Sequence, residues 1–228
     1  MIQNRAFQTG STSPWTSFGG ATIVLANPSP ILSSALPYSI SVYGNANTEI
    51  GISNPGYWGI EVKAQAYTGS FYAMGSYTGT FKAALRSTGG TIYASTTIAS
   101  KSVSGSWTKH TFTLNPTSSA GVSNVFTLTF TPTSSTQILD FDLISLFPPT
   151  YNSRPNGMRI DIMTALEELN PSFLRLPGGN NLEGSTSGGE WKWANTIGDL
   201  TERPGRQGTW GYYNTDGLGL IEYMQVRE

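Results

Sequence analysis

Between residues 9 and 147 apolar and polar side chains alternate in short runs, and each run ends at a turn signal. Tyr38-Ser39-Ile40-Ser41-Val42-Tyr43 alternates cleanly and stops at Gly44-Asn45. Similar runs occupy 21–25, 68–74, 80–86, 91–98, 108–114, 124–130 and 138–147, broken by Asn27-Pro28, Gly75 and Gly89-Gly90. A period of two with turns every ~8–12 residues predicts an antiparallel β-sandwich. The β-branched and aromatic residues that fill these runs suit a half-buried pleated surface. The one hint of a helix in this stretch lies near 57–66.

From Pro148-Pro149 the pattern changes. Met158, Ile162, Met163, Leu166 and Leu169 recur at helical steps, with Arg159, Asp161, Glu167 and Glu168 on the remaining face. A helix is expected from after Asn156-Gly157 to Leu169, stopped by Asn170-Pro171. Ser172-Phe173-Leu174-Arg175-Leu176 then reads as a short strand, and Pro177-Gly178-Gly179-Asn180-Asn181 as a loop where backbone can approach a ligand. Helix, strand and Gly-rich loop make one step of a parallel α/β sheet; in a (β/α)8 barrel that loop faces the active site. A long Trp- and Gly-rich loop follows at 182–213. A last helix begins after Asn214-Thr215-Asp216-Gly217, with Leu218, Ile221 and Met224 on one side. One complete step cannot close a barrel, so a barrel segment cut short is expected.

Charge sharpens the division. Nine of the first 140 residues are charged, against eighteen of the last 88. The first stretch therefore presents hydroxyls, amides and aromatic edges, which suit neutral, hydroxyl-rich ligands. Trp15, Tyr57, Trp58, Tyr72, Tyr77 and Trp107 are candidate stacking platforms, set against the plainer reading as core aromatics. Tyr57-Trp58 stands out because Asn54-Pro55-Gly56 places it just after a turn. The formal net charge of −1 argues against a nucleic-acid partner, and no run of about 18 apolar residues offers a membrane span. The N-terminus shows no signal peptide.

There is no cysteine and only one histidine, His110. Thiolate and multi-histidine metal sites are thereby excluded, and no cofactor or metal is expected. His110 lies on the same face as Thr108 and Phe112 of an alternating run and reads as structural or surface. Acid–base chemistry would then fall to carboxylates. Glu183, Glu190, Asp199, Glu202, Asp216 and Glu222 are the candidates. Asp216 reads as a helix cap, and Glu190 and Glu202 as loop charges paired with Lys192 and Arg203.

The strings Ile2 to Gln8, Ser145 to Tyr151, Arg154 to Arg159, Phe173 to Gly184, Arg203 to Tyr212 and Asn214 to Gly219 follow one another along the chain. In this order they resemble the fungal α-L-arabinofuranosidases of glycoside hydrolase family 51. The resemblance runs from Ile2 to about Gln225. It implies a retaining exo-hydrolase that releases arabinofuranose from arabinoxylan and arabinan, built on a (β/α)8 barrel. It also implies a sandwich like a carbohydrate-binding module ahead of most of that barrel. On this footing residues 1–8 end a barrel segment leading into the sandwich. Residues 9–147 form the jelly-roll, carbohydrate-binding-module-like sandwich, and residues 148–228 part of the catalytic barrel.

Retaining chemistry needs two carboxylates about 5 Å apart. By the resemblance both the acid/base and the nucleophile lie beyond Glu228, so no catalytic residue is carried by this chain. Asn180 borders the arabinose subsite, with Gly178, Gly179 and Asn181 shaping it. Leu176 departs from the family, where an aromatic is usual, and Val226-Arg227-Glu228 leaves its pattern. Arabinose-containing plant cell-wall polysaccharides are the implied partners, and an extracellular location follows from the family alone. The contrasting expectation is a stand-alone carbohydrate-binding module with a vestigial tail, its sugar platform drawn from Tyr57, Trp58 and Trp107.

Overall fold

The structure, a computed structural model, describes residues 1–225. The altered ending at Val226 to Glu228 lies outside the described residues. The chain divides into two units. The first comprises Met1–Leu32 and Pro37–Pro148; the second comprises Ser33–Leu36 and the stretch from Pro149 onward.

Ten strands build the first unit: β1 (Thr16–Phe18), β2 (Thr22–Ala26), β3 (Ser39–Tyr43), β4 (Ile50–Asn54), β5 (Tyr67–Met74), β6 (Thr80–Ser87), β7 (Ile92–Ala99), β8 (Thr108–Leu114), β9 (Asn124–Phe130) and β10 (Leu139–Phe147). They form two five-stranded sheets, ordered β1-β4-β9-β6-β7 and β2-β3-β10-β5-β8. Every strand pairing is antiparallel. This is the expected sandwich. All eight alternating runs became strands, because each had one apolar face to bury. Two strands went unforeseen: β1 has three residues, and Gly51 interrupts the apolar pattern of β4.

Alternate residues of both sheets meet in one core. Ile40 and Val42, Phe81 and Leu85, Phe126, Leu128 and Phe130, and Leu139 and Phe141 are all buried. Gly69 lies directly across from Phe112 in the β5–β8 ladder, and a Cβ there would come 2.1 Å from the Phe112 ring. The absence of a side chain at 69 lets that ring lie over the strand. Phe112 in turn stacks on Phe126, with centroids 5.9 Å apart. The N-terminal residues differ from expectation: Ile2 and Phe7 belong to the sandwich core, and Phe7 packs on Trp15 at 6.1 Å. No helix forms at 57–66, where Gly56 and Gly59 at positive φ turn the chain instead.

In the second unit α1 (Ile160–Glu168) forms within the predicted span. Residues 172–176 do not form a strand, contrary to expectation. A strand is stable only beside a neighbour, and the only strands described in this unit are β11 (Arg206–Gln207) and β12 (Tyr213–Asn214), which pair with each other. Phe173 and Leu174 are left exposed, as are Ile160, Ile162, Leu166 and Leu169 of the α1 region. The long loop is more ordered than expected. It holds α2 (Asn180–Glu183), three short 3-10 turns and the β11–β12 hairpin, and α3 (Leu220–Met224) follows it. None of the described helices is long and apolar enough to cross a membrane.

Candidate functional site

The Gly-rich loop is built by backbone conformation. Gly178 and Gly179 take φ of +73° and +53°, the second with ψ −145°, a region open to glycine and closed to side chains. The turn delivers Asn180 and Asn181 to the start of α2. Asn180 is exposed, whereas Asn181 is half-buried and held from behind. Its Oδ1 accepts hydrogen bonds from Arg206 Nη2 at 2.8 Å and Asn214 Nδ2 at 3.1 Å. Of the four loop residues singled out from sequence, Asn180 is thus the side chain free to face a ligand, and Asn181 anchors the loop to the β11–β12 hairpin.

Arg206 is the centre of that anchor. It is buried, donates to the Gly189 carbonyl at 3.0 Å, and lies 3.4 Å from Asp216 Oδ2. Burial pushes the Asp216 carboxyl above its usual range even with Arg206 beside it. Asp216 is therefore a partner of Arg206 and not the helix cap expected. The N-cap of α3 is Gly219, whose N–H donates to Glu222 Oε2 at 2.8 Å.

Glu222 closes a second buried pair that was not anticipated. Arg203 donates to its carboxylate through both terminal nitrogens, at 2.9 and 3.1 Å. Asn156 Nδ2 adds a bond at 3.1 Å. Burial alone would raise the Glu222 carboxyl; hydrogen bonds from Arg203, Gly219 and Asn156 outweigh it and hold the group below the usual glutamate range. The Arg203-to-Glu222 spacing of nineteen residues carries no local pattern, so only the fold reveals the pair. Two of the other candidate carboxylates serve nearby backbone: Asp199 accepts from Thr201 N, and Glu190 from Gly188 N. Among the described residues no three of His, Cys, Asp and Glu converge as a metal cluster would.

In the sandwich, Tyr57 and Trp58 occupy the loop after β4, and Trp58 is 93% exposed. Trp58 holds φ +58°, an unfavourable region for a bulky residue. Both flanks of the loop are clamped. Buried Asn54 accepts the Gly56 N–H at 2.9 Å, Ile60 N–H donates to Val122 O at 2.9 Å, and Asn124 Nδ2 donates to Ile60 O at 2.7 Å. The indole is thus held out in solvent by a satisfied hydrogen-bond frame.

Trp107 does not join it. Trp107 precedes β8, and its Nε1 donates to Pro30 O at 2.9 Å. The loop after β8 is what reaches the Trp58 end, where Ser119 N donates to Val62 O at 2.9 Å. Trp107 therefore sits at the opposite end of β8. Trp15 and Tyr77 are core residues, and Tyr72 lies under Lys109 at 5.7 Å.

His110 is structural. It is buried, stacks on Phe71 at 5.0 Å, and accepts the Lys101 N–H on Nε2 at 3.0 Å. Its Nδ1 faces the Thr108 carbonyl at 3.0 Å, which assigns the proton to Nδ1. Burial, reinforced by Lys101, holds the imidazole below the ordinary histidine range against the pull of that carbonyl.

The chain is similar to several known proteins. The profile of the alpha-L-arabinofuranosidase 1 domain matches residues 165–228. Alpha-L-arabinofuranosidase A of Aspergillus niger is 42% identical over 98% of this chain, and that of Aspergillus kawachii is likewise 42% identical over 98%. The arabinose-bound MgGH51 α-L-arabinofuranosidase superposes on 99% of this chain with a TM-score of 0.93 and 37% identity, which is 38% of that structure. The chain is thus similar to fungal α-L-arabinofuranosidases and to an α-L-arabinofuranosidase of glycoside hydrolase family 51, the likeness expected from its ordered sequence strings. The chain spans about a third of the length of these curated relatives, 36% in each case.

Proposed function

We propose that this chain is the N-terminal part of a retaining, exo-acting α-L-arabinofuranosidase that acts on arabinose side chains of arabinoxylan and arabinan outside the cell. The observation that carries the reading is the likeness to the arabinose-bound family 51 enzyme over 99% of this chain. In this reading residues 149–225 are an incomplete piece of the catalytic (β/α)8 barrel. Asn180, turned outward by Gly178 and Gly179, borders the arabinose subsite, and Arg206 through Asn181 keeps the loop in place. The acid/base and nucleophile belong to residues beyond Glu228. The exposed Phe173, Leu174 and α1 side chains are then surfaces that further strands and helices of a barrel cover, and 172–176 is a strand awaiting its neighbours.

The assay is release of nitrophenol from an aryl α-L-arabinofuranoside. The chain alone is expected to be inactive. Joined to the C-terminal remainder of the Aspergillus niger relative it is expected to regain turnover, and Asn180→Ala in that protein to lower kcat/KM at least tenfold. Turnover by the chain alone that is lost on replacing one of its own carboxylates overturns the reading.

The exposure of Trp58 supports a second, independent role for the sandwich as a carbohydrate-binding module, with Tyr57 and Trp58 as the stacking surface. Affinity electrophoresis on arabinoxylan and arabinan tests it. Retardation abolished by Trp58→Ala and kept by Trp107→Ala is expected; no retardation of the parent chain refutes it.

A further inference from the structure

Asn156 is the only asparagine of the chain followed by glycine; every other precedes a larger residue. At an Asn-Gly step the next backbone nitrogen can close onto the side-chain amide, because glycine brings no side chain to bar the approach. The bond from Gly157 N to Asn156 Cγ forms, the bond from Cγ to Nδ2 breaks, and ammonia leaves with the proton of the Gly157 amide. Water then opens the cyclic imide to aspartate or isoaspartate. Asparagine is accordingly among the heat-labile residues.

The fold engages both reacting nitrogens. Asn156 Nδ2 donates to Glu222 Oε1 at 3.1 Å and to the Gly217 carbonyl. The Gly157 N–H donates to Arg154 O at 3.1 Å. Cyclisation needs both nitrogens released and the second turned onto Cγ. The surroundings resist that movement. Arg203 donates to the same Gly217 carbonyl at 3.1 Å and is paired with Glu222 out of water. Gly157 is seated so closely that a Cβ there would come 2.7 Å from Arg154 O. One side-chain amide thus ties the turn before α1 to the turn and helix that carry Gly217 and Glu222.

We propose that Asn156 is this chain's principal site of spontaneous deamidation, closed to reaction while the second unit is folded and exposed whenever that unit opens locally. The rate then follows the population of the open form. The product cannot restore the arrangement it came from. A carboxylate replaces the amide, so two donated hydrogen bonds become contacts between acceptors, one of them against the Glu222 carboxylate. Arg203 is left to serve two negative charges in a buried place. The isoaspartate form also lengthens the backbone at a position where Gly157 has no room to shift. Each opening that ends in deamidation therefore leaves a unit that opens more readily.

The test incubates the full chain at mildly alkaline pH, in buffer and in urea above the unfolding midpoint, with peptide mass mapping at intervals. The mass gain of amide-to-acid exchange is expected first at Asn156, and about tenfold slower in buffer than in urea. Glu222→Gln, which loosens one of the two Nδ2 contacts, is expected to bring the buffer rate toward the urea rate. Asn156→Asp is expected to be cut faster than the parent in limited proteolysis after Pro149. If Asn156→Asp does not fold, aged parent chain separated by ion exchange on its extra negative charge supplies the same reading. A mass gain that appears first at another asparagine, equal rates in buffer and urea, an unchanged rate in Glu222→Gln, or deamidated chain as protease-resistant as the parent would each overturn the proposal.

Discussion

Phe71→Ala removes the ring at the centre of the sandwich's aromatic cluster. That ring is fully buried, stacked on His110 at 5.0 Å, edge-on to Phe81 at 5.2 Å, and within 6.0 and 6.2 Å of Phe141 and Phe112. Truncating a buried phenylalanine costs about 3–5 kcal/mol in lost transfer energy and residual cavity. Aromatic pairs add ~0.5–1.5 kcal/mol each beyond burial, and four are lost, so the upper half of that range is expected. Total stability of a domain is only about 5–15 kcal/mol, so the change removes roughly a quarter of it or more. Urea unfolding of the whole chain by far-UV circular dichroism reads the loss as a lower midpoint at unchanged slope. Phe71→Leu, which refills part of the space, should recover roughly half, and Val24→Ala on exposed β2 should stay within about 0.5 kcal/mol. A loss below about 1.5 kcal/mol for Phe71→Ala would refute the view that both sheets share one core through this ring.

Gly69→Ala drives a methyl into the Phe112 ring and should cost ~1–3 kcal/mol or more in the same urea assay, although the change is a single carbon on a strand. His110 links sandwich stability to pH. Its proton affinity is depressed by folding, so its contribution is complete above the ordinary histidine value of 6.5 and is lost as pH falls below it. The difference between parent and His110→Gln midpoints should therefore narrow from pH 7.5 to pH 5, and parallel profiles would count against the buried neutral imidazole. Glu222→Gln strands the buried Arg203 guanidinium and should destabilise the second unit by about 3 kcal/mol or more, seen as faster limited proteolysis after Pro149. In the parent that pair contributes above the ordinary glutamate value of 4.5 and weakens as pH falls below it, since folding depresses the Glu222 carboxyl.

The sandwich was legible because alternation is a local property. Ile40, Val42, Phe126 and Phe141 announce their burial by position alone, and His110 follows the same rule between Thr108 and Phe112. The second unit was legible only in part. Residues 172–176 have strand composition, but a strand is a pairwise object and the partner is not among the described residues. The Arg203–Glu222 and Arg206–Asn181 contacts join positions nineteen and twenty-five apart without periodicity, so nothing in the string could join them. Trp58 and Trp107 look equivalent as letters; the fold places them at opposite ends of the sandwich.

Ser33–Leu36 is counted with the second unit although it lies within the sandwich's stretch of chain, and Ser33 Oγ donates to the Thr201 carbonyl. The polypeptide therefore crosses between the units at three places, near residues 32, 36 and 148. A protein cut after Pro148 would not yield two self-sufficient pieces, since the second would lack four of its own residues. During synthesis those four residues emerge well over a hundred positions before the rest of their unit. Gene fusion or domain exchange at Pro148 would inherit the same debt, so the two units are expected to travel together through evolution.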